Sequence, residues 1–582
     1  MANCRQYWLL KIGGMFSSAL LELESYKVGF EALFFARADY QDIAKRREDR
    51  TMEMIWRGSK SLGSTAQVFT GILAHHYDPP PEFRYDIKTT ETTIQDDPFL
   101  YDYNVEQQID LFVQLAKEQA KQFRTNHIMW TMGEDFAYEN ANTWFKQMDK
   151  LIHYANKDGR VNAFYSTPTI YTFQKHAANE SWPLKTDDFF PYADCEHCYW
   201  TGYFTSRPAL KGYVRKLSGL LQATRQLEFV VGRNKGIPNT DSLEEAMAVL
   251  QHHDGVSGTE RQHVANDYAL RLSRASIEAE NVMKSALVCL MSGKLNCADN
   301  MSSMLGTHLK PQKGHSLQEI SSSSTSEYVA GRIELEQCPL MNISYCPKSE
   351  TKLGVGRSLV VVIYNPLGWT RKEVIKIPVS SSAMEVLDSD GKKIQAQFVP
   401  IDSASRKVRD YYAAAFQEAS VQSEPLFNLY FEVSVPSLGY VVYFLKATQN
   451  EASWTMPMKP QDFNGDIILD STKIQMVFSN STGLLKQIRQ QEHGVSLPMQ
   501  QSFCWYNGSD GNTGEKKIQA SGAYVFRPNS SSCFQLGNTS EQVIQSVVLG
   551  DIVNEVHQQF SPWVSQVVRL YKNADDIEVD FL

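Results

Sequence analysis

A segment that could bind a metal or a sugar, Gln251–Thr259, lies near the middle of this 582-residue chain. It places the imidazoles of His252 and His253 directly before the carboxylate of Asp254, and it contains two glycines. Imidazole nitrogens bind zinc, a carboxylate oxygen accepts a hydrogen bond from a ligand hydroxyl, and glycine permits tight turns. The pattern indicates a metal or sugar site. For such a triplet alone, one packed and one solvated histidine at a helix end is the commoner arrangement.

Further segments of the chain repeat, in one order, the motifs of a single enzyme family. They resemble the glycoside hydrolase family 38 α-mannosidases, and the continuation after Thr259 resembles the lysosomal type. The matching segments are Gly29–Arg37, Asp39–Asp42, Gly133–Asn142, Asp187–Asp194 and Gln251–Ala269. So many matches in one order make the resemblance specific. It implies retaining hydrolysis of terminal α-mannose from glycoprotein oligosaccharides.

The resemblance implies roles for three residues near the predicted chemistry. Asp135 matches the acid/base that protonates the leaving oxygen, His253 matches a zinc ligand, and Asp254 matches a residue that hydrogen-bonds mannose. Without the resemblance, a solvated loop or N-cap aspartate is an equally good interpretation of Asp135. Asp188 lies in another matching segment and is a weaker candidate for the acid, so we interpret it as a loop carboxylate.

Three other residues match positions that contact the sugar or the nucleophile in the family. Tyr85 and Asp86 match a sugar-contacting aromatic and carboxylate, and Arg37 matches an arginine beside the nucleophile. The structural alternative for Tyr85 and Asp86 is a loop with a buried ring and a solvated acid. For Arg37 the alternative is an ordinary salt bridge.

The N-terminal sequence departs from the family pattern. The family's Asp-Pro-Phe-Gly-His-Ser nucleophile segment is expected about where Gly13–Ser18 stands, and no Asp or Glu occurs before Glu22. The resemblance also places a His-x-Asp zinc motif before the start of this chain. His76–Asp78 spells that motif and Asp97–Phe99 spells the start of the nucleophile segment, but both follow Arg37, whereas the family motifs precede it. We therefore expect a chain incomplete at both ends, with no nucleophile found. The resemblance implies zinc as cofactor, with an incomplete site, because His253 alone cannot hold the ion.

The bulk properties exclude some classes of partner. A formal net charge of -9 provides no basic field for nucleic acid, and no apolar run approaches the length of a membrane span. The expected partner is a mannose-containing oligosaccharide, and the oligomeric state is left open. The resemblance implies a lysosomal or vacuolar location, although no signal peptide is visible at the N-terminus.

The cysteines give two local expectations. Cys338 and Cys346 resemble a disulfide pair of the lysosomal enzymes, and their short separation suits a bond. Cys195 and Cys198 have the spacing of a zinc knuckle or a redox pair. A surface-loop pair, free or bridged, is favoured for them because a second such motif is absent from the sequence.

Hydrophobic periodicity predicts the elements that must position these residues. Strand-like runs such as Phe30–Arg37, Ile128–Met132 and Ala163–Ser166 alternate with helical patterns at Asn104–Phe123 and Ala141–Asn156. Ser206, Ser242 and Thr259 are the candidate N-caps of three later helices, and an alternating strand spans Phe427–Val435.

The predicted fold class is an α/β parallel-sheet domain followed by a three-helix bundle and an antiparallel β-sandwich region. The expected domains are 1–204 for the α/β glycosidase domain, 205–310 for the helices with the His-His-Asp motif, 311–354 for a linker and disulfide loop, and 355–582 for the β-sandwich region. The serine-rich stretch at Ser316–Ser326 is expected to be an exposed linker.

Two functional hypotheses follow from these patterns. The first is an enzyme that hydrolyses terminal α-mannose from glycoprotein oligosaccharides, represented here by an incomplete or mis-assembled chain. The second is a catalytically inactive mannose-binding or interaction protein that keeps part of the pocket and lacks the nucleophile.

Overall fold

The structure is a computed structural model that describes residues 7–10, 29–86, 93–233, 239–291, 335–338, 346–417, 427–512, 518–536 and 542–581. In these ranges no helix is long and apolar enough to cross a bilayer. The fold comprises two units. Unit 1 contains Met1–Ser206, Ser257–Thr259 and Gly508–Asn529, and unit 2 contains Arg207–Val256, Glu260–Asn507 and Ser530–Leu582. The four expected domain ranges stay predictions.

Unit 1 contains a five-stranded sheet of order β1-β2-β4-β3-β6. Its strands, with the short β5, are β1 Tyr7–Leu10, β2 Phe30–Phe35, β3 Glu53–Trp56, β4 Val68–Ile72, β5 Ala74–Tyr77 and β6 Leu184–Lys185. Three neighbouring pairs are parallel, but β3 runs antiparallel to β4. The expectation of a parallel sheet is wrong at this pair. A short connection without a crossover helix can join adjacent strands only in the antiparallel sense.

In the part of unit 1 that the structure describes, four helices accompany this sheet. They are α1 Tyr40–Asp49, α2 Val105–Ala120, α3 Ala141–Asp158 and α4 Pro168–Ala177. Helices α2 and α3 confirm the periodicity, with ends shifted by a few residues. The apolar stripe of α2 packs on Trp144 and Leu151 of α3 and on Phe83 and Tyr85 of a preceding loop. This loop-and-helix cluster is separate from the two apolar clusters to which the sheet contributes.

The predicted strands at Ile128–Met132 and Ala163–Ser166 are wrong, because the backbone there is irregular. In the first segment, side chains donate hydrogen bonds to backbone carbonyls that would otherwise accept from a neighbouring strand. Gln119 donates to the Met129 carbonyl at 3.3 Å, and Tyr138 donates to the Met132 carbonyl at 2.6 Å. Both segments border the cavity described below.

Unit 2 begins with three helices, α5 Pro208–Val231, α6 Asp241–Leu250 and α7 Gln262–Met291, and a later helix is α8 Ser403–Gln417. Helices α5, α6 and α7 share one apolar cluster that includes Leu217, Leu243 and Leu272. The predicted N-caps are wrong by one or more residues, since Arg207 and Thr240 precede α5 and α6. The Ser242 hydroxyl instead donates to Glu278 Oε2 at 2.7 Å.

The rest of unit 2 is largely antiparallel sheet. The first group of strands is β7 Ser358–Asn365, β8 Arg371–Val379, β9 Met384–Leu387, β10 Lys393–Ile394, β11 Ala396–Pro400, β12 Phe427–Val435 and β13 Gly439–Ala447. The sheets β10-β9-β13-β7 and β11-β12-β8 share one apolar cluster. Strand β12 confirms the predicted bounds.

The second group of strands is β14 Ile467–Asp470, β15 Ile474–Phe478, β16 Leu485–Gln490, β17 Val495–Pro498, β18 Cys504–Trp505, β19 Phe534–Gln535, β20 Ile544–Val548, β21 Val553–Ser561, β22 Val564–Tyr571 and β23 Glu578–Phe581. The four-stranded sheets β14-β15-β16-β17 and β20-β21-β22-β23 share another apolar cluster, and β18 pairs with β19. Unit 2 is therefore a mixture of helices and several antiparallel sheets.

A buried polar junction lies between strands β12 and β21. Alternation predicts Tyr430 on a polar face, but its ring is fully buried and its hydroxyl donates to Glu555 Oε1 at 2.7 Å. Arg569 Nε also donates to Glu555 Oε1, at 2.8 Å, and Glu555 Oε2 lies 2.8 Å from His557 Nε2. A sheet packed on both sides has no solvated face, so its polar residues must bond one another.

Three disulfides lie within the described ranges. Cys338–Cys346 confirms the expected pair, and Cys195–Cys198 is bridged. Cys504–Cys533 is a bond that the sequence analysis did not predict. Gly13–Ser18 and the expected linker Ser316–Ser326 lie outside the described residues.

Candidate functional site

Unit 1 contains a cavity of about 1310 Å³. Carboxylates and aromatic rings form part of its wall, including Tyr77, Trp130, Glu134, Asp135 and Tyr138. Carboxylates accept hydrogen bonds from hydroxyl groups, and aromatic faces provide flat apolar contact. This combination suits a polyhydroxylated ligand such as a sugar.

Asp135 is placed by a tight turn rather than by the end of a strand. The following residue, Phe136, has a left-handed backbone with φ of 61°, and a 3-10 turn then begins at Ala137. A Cβ added at Gly133 would lie 2.9 Å from the ring of Tyr138, so glycine permits this close approach. The carboxylate of Asp135 is exposed and borders the cavity.

A cluster of charges surrounds Arg84 beside Asp135. Arg84 Nε lies 2.7 Å from Asp86 Oδ2, and the same guanidinium forms an ion pair with Glu134. Burial raises the pKa of Glu134, the charge of Asp78 adds to this effect, and Arg84 opposes it. A carboxyl that holds its proton to higher pH can act as a proton donor. Glu134 is therefore a candidate proton-transfer group that sequence reasoning missed, because Arg84 and Asp78 are distant from it in the chain.

Arg84→Met is expected to lower the free energy of unfolding by about 1 kcal/mol at pH 7, since this pair is partly screened by solvent. Removal of the cation raises the pKa of Glu134 further, because Arg84 lowers it in the parent chain. A raised carboxyl pKa leaves stability intact at low pH and reduces it as pH rises through that pKa. Urea titrations should therefore show a larger loss at pH 7 than at pH 4, because the part that comes from Glu134 disappears as Glu134 is protonated, whereas Arg84 still pairs with Asp86 at pH 4.

The matched control is Arg57→Met, whose guanidinium bonds the neutral amide of Gln67. This control should show no dependence of its effect on pH between 4 and 7. A loss for Arg84→Met that is equally large at both pH values would contradict the role of Glu134.

Arg37 follows strand β2 and contacts aromatic residues. Its Nη2 donates to the hydroxyl of Tyr77 at 3.4 Å, and its guanidinium lies 4.7 Å from the ring centroid of Trp200. Burial raises the pKa of Tyr77, so its phenol stays protonated across the physiological range. Among the described residues, Arg37 is thus held by rings and a hydroxyl rather than by a salt bridge.

Trp200 and Tyr524 are further candidate site residues, near Arg37, that sequence reasoning missed. Trp200 Nε1 donates to Asp194 Oδ1 at 3.0 Å, and its ring centroid lies 5.5 Å from that of Tyr524. The Gly202 amide donates to the Tyr524 carbonyl at 3.0 Å, which fixes the two segments together. No local pattern could join residues so far apart in the sequence.

Tyr85 and Asp86 have different environments. The Tyr85 ring is buried and packs edge to face on Trp144, with centroids 5.9 Å apart. The Asp86 side chain is 9% exposed beside Arg84, so the alternative of a solvated acid does not describe it. Asp188 is exposed in the loop after β6.

The His-His-Asp triplet lies in unit 2, in the turn that follows helix α6. The Val256 amide donates to the Leu250 carbonyl at 2.9 Å, which closes the turn. His252 and His253 side chains are 46% and 48% exposed, so neither is packed in a core. One ligand atom from each of His252, His253 and Asp254 lies within 4.8 Å of the others. Two imidazoles and a carboxylate are a donor set that fits zinc.

The structure thus groups the predicted residues within each unit. Asp86 and Asp135 lie around the Arg84 cluster in unit 1, Arg37 contacts Tyr77, and His253 lies beside Asp254 in unit 2. The roles assigned to these residues stay predictions.

Comparison with known proteins supplies the family. Residues 17–195 match the glycosyl hydrolases family 38 N-terminal domain, residues 198–290 match the alpha mannosidase middle domain, and residues 469–582 match the family 38 C-terminal domain.

Several relatives are similar over most of this chain. An α-mannosidase of Arabidopsis thaliana is 45% identical over 563 residues, which cover 95% of this chain and 51% of that protein. An α-mannosidase of Canavalia ensiformis is 42% identical over 95% of this chain and 53% of its own length. A lysosomal α-mannosidase of Bos taurus is 36% identical over 95% of this chain and 49% of its own length. The chain thus spans about half the length of these relatives, and it belongs to glycosyl hydrolase family 38.

Proposed function

We propose that this chain represents an α-mannosidase that hydrolyses terminal α-mannose from glycoprotein oligosaccharides with retention of configuration. The observation that carries this proposal is the position of Asp135 on the wall of a cavity lined by carboxylates and rings. Membership of family 38 and relatives named α-mannosidases support the same reaction.

In this proposal Asp135 donates a proton to the leaving oxygen, and Asp254 accepts a hydrogen bond from a mannose hydroxyl. The Arg37 guanidinium, which bonds the Tyr77 hydroxyl and lies against the Trp200 ring, provides a positive charge held in one position. His252, His253 and Asp254 are the described residues that would hold zinc. Zinc, when bound, supplies Lewis acidity to oxygen groups of the ligand.

The relatives support a cellular location for this reaction, and the apolar clusters support a domain architecture. A lysosomal or vacuolar location is supported by relatives named lysosomal α-mannosidases. The shared apolar clusters of α5, α6 and α7 and of the paired antiparallel sheets support a three-helix bundle and a β-sandwich region. The expected partner is a mannose-containing glycan.

A second candidate function is mannose binding without hydrolysis. Retention needs two carboxyl groups about 5 Å apart, one of which attacks the sugar. The segment Gly13–Ser18 contains no carboxylate where the resemblance places the nucleophile. This sequence feature favours a protein that keeps its sugar contacts and does not form the covalent intermediate.

The two functions are separated by assay of the full chain with nitrophenyl α-mannoside, together with elemental analysis for zinc. Turnover with about one zinc per chain is the expected result for the enzyme, because the triplet provides three ligands. Saturable mannose binding without turnover would favour the second function. Absence of both activities would contradict the two proposals together.

A further inference from the structure

Two cationic side chains at the start of helix α5 bind the backbone around the His-His-Asp triplet. Arg207 Nη2 donates to the Glu260 carbonyl at 2.9 Å, and Lys211 Nζ donates to the Val256 carbonyl at 2.8 Å. Charge-assisted hydrogen bonds are about twice as strong as neutral ones. The helix therefore holds the chain at two points on the C-terminal side of Asp254.

Glu260 connects these cations to Asp254. Its amide donates to the Asp254 carbonyl at 3.1 Å, and its carboxylate, 3% exposed, lies 3.5 Å from Arg207 Nε. A buried carboxylate without its cation is costly, so the pair strongly favours this one arrangement. Arg207 also donates from Nη1 to Gln262 Oε1 at 2.7 Å, which fixes its own orientation.

The turn itself has little room to move. The Gly255 amide donates to the His252 carbonyl at 2.8 Å. A Cβ added at Gly255 would lie 2.9 Å from the Leu250 carbonyl oxygen. A backbone packed this closely transmits a displacement at Glu260 or Val256 to its neighbours.

We propose that Arg207, Lys211 and Glu260 are positioning residues that fix His253 and Asp254 for a divalent metal ion and for a sugar hydroxyl. This inference rests on the proposed zinc and mannose binding. The three residues act through the backbone of the turn and contact neither ligand. Only the three-dimensional structure of unit 2 identifies these three residues, because no spacing pattern in the sequence indicates them.

The test measures Zn²⁺ affinity of the full chain by competition with a chromophoric chelator. Arg207→Met is expected to weaken Zn²⁺ binding by about 10-fold, as loss of an outer partner does at other metal sites. Arg207→Lys should recover much of the affinity, because an ammonium can still donate to the Glu260 carbonyl. Arg215→Met removes the same group from an exposed position on the same helix and should leave affinity unchanged.

Hydrogen exchange of the amides of Val256 and Glu260 provides a second readout that does not need zinc. Arg207→Met should speed their exchange by about 10-fold, equivalent to about 1.4 kcal/mol of local opening. If Arg207→Met does not fold, Lys211→Met serves in both measurements because it removes one hydrogen bond at the other point.

The outcomes separate this inference from the proposed function. Failure of the parent chain to bind Zn²⁺ would contradict the metal part of that function, and exchange would then decide the role of Arg207. Unchanged Zn²⁺ affinity in Arg207→Met and Lys211→Met, with the parent chain binding normally, would overturn the inference. Unchanged exchange at both amides would overturn it as well.

Discussion

Asp135→Asn is expected to lower kcat/KM for an α-linked mannose disaccharide by about 10²–10⁴-fold, the usual contribution of a general acid. A sugar alkoxide is a poor leaving group, so its departure depends on the proton that Asp135 donates. A nitrophenolate leaves readily without that proton, so the same variant should lose far less activity toward a nitrophenyl mannoside. Steady-state kinetics with both substrates therefore test the role of Asp135 in proton donation.

The matched control for this experiment is Asp102→Asn, an exposed aspartate of the same unit. It should leave both kinetic constants unchanged. Equal losses of Asp135→Asn on the two substrates would contradict a role in protonating the leaving group. Mannose binding by Asp135→Asn should persist, because the acid acts on the leaving oxygen.

Glu555→Gln is expected to lower the free energy of unfolding by about 3–5 kcal/mol at pH 7, the usual cost of breaking a buried ion pair. The carboxylate accepts hydrogen bonds from Tyr430 and from Arg569, and all three side chains are buried. The neutral amide leaves the guanidinium of Arg569 without its buried counter-charge. Denaturant unfolding followed by circular dichroism measures the loss.

The pH dependence of this loss gives an internal check. Burial alone would raise the pKa of Glu555, but the hydrogen bond to His557 and the charge of Arg569 hold it well below the ordinary value. A lowered carboxyl pKa contributes stability above the unfolded-state pKa and loses it as pH falls toward the folded-state pKa. The difference between the parent and Glu555→Gln should therefore shrink below about pH 4.

Glu578→Gln provides a matched control, because Glu578 also pairs with Arg569 but is 44% exposed. Its cost should stay below about 1 kcal/mol, since solvent screens an exposed pair. Equal losses for Glu555→Gln and Glu578→Gln would contradict the importance of burial at this junction.

Elements with a strong local period were predictable. Helices Val105–Ala120 and Ala141–Asp158 and strand Phe427–Val435 follow the spacing of their apolar residues. The first residues of the helices were less predictable. Arg207 and Thr240 precede helices for which serines were the candidate caps, because Ser206 and Ser242 bond other groups instead. A local capping signal competes with tertiary partners, and here the tertiary partners prevail.

In the candidate site, too, local motifs were predictable from the sequence, whereas contacts between distant residues were not. The sequence by itself determined the His252-His253-Asp254 triplet and the segment around Asp135, because each lies within a few consecutive residues. Only the tertiary structure decided that Arg84 joins Glu134 and that Arg37 lies against Trp200. Neighbours along the chain are held together by covalent geometry. Pairs distant in sequence meet only where burial and desolvation favour one arrangement of the whole fold.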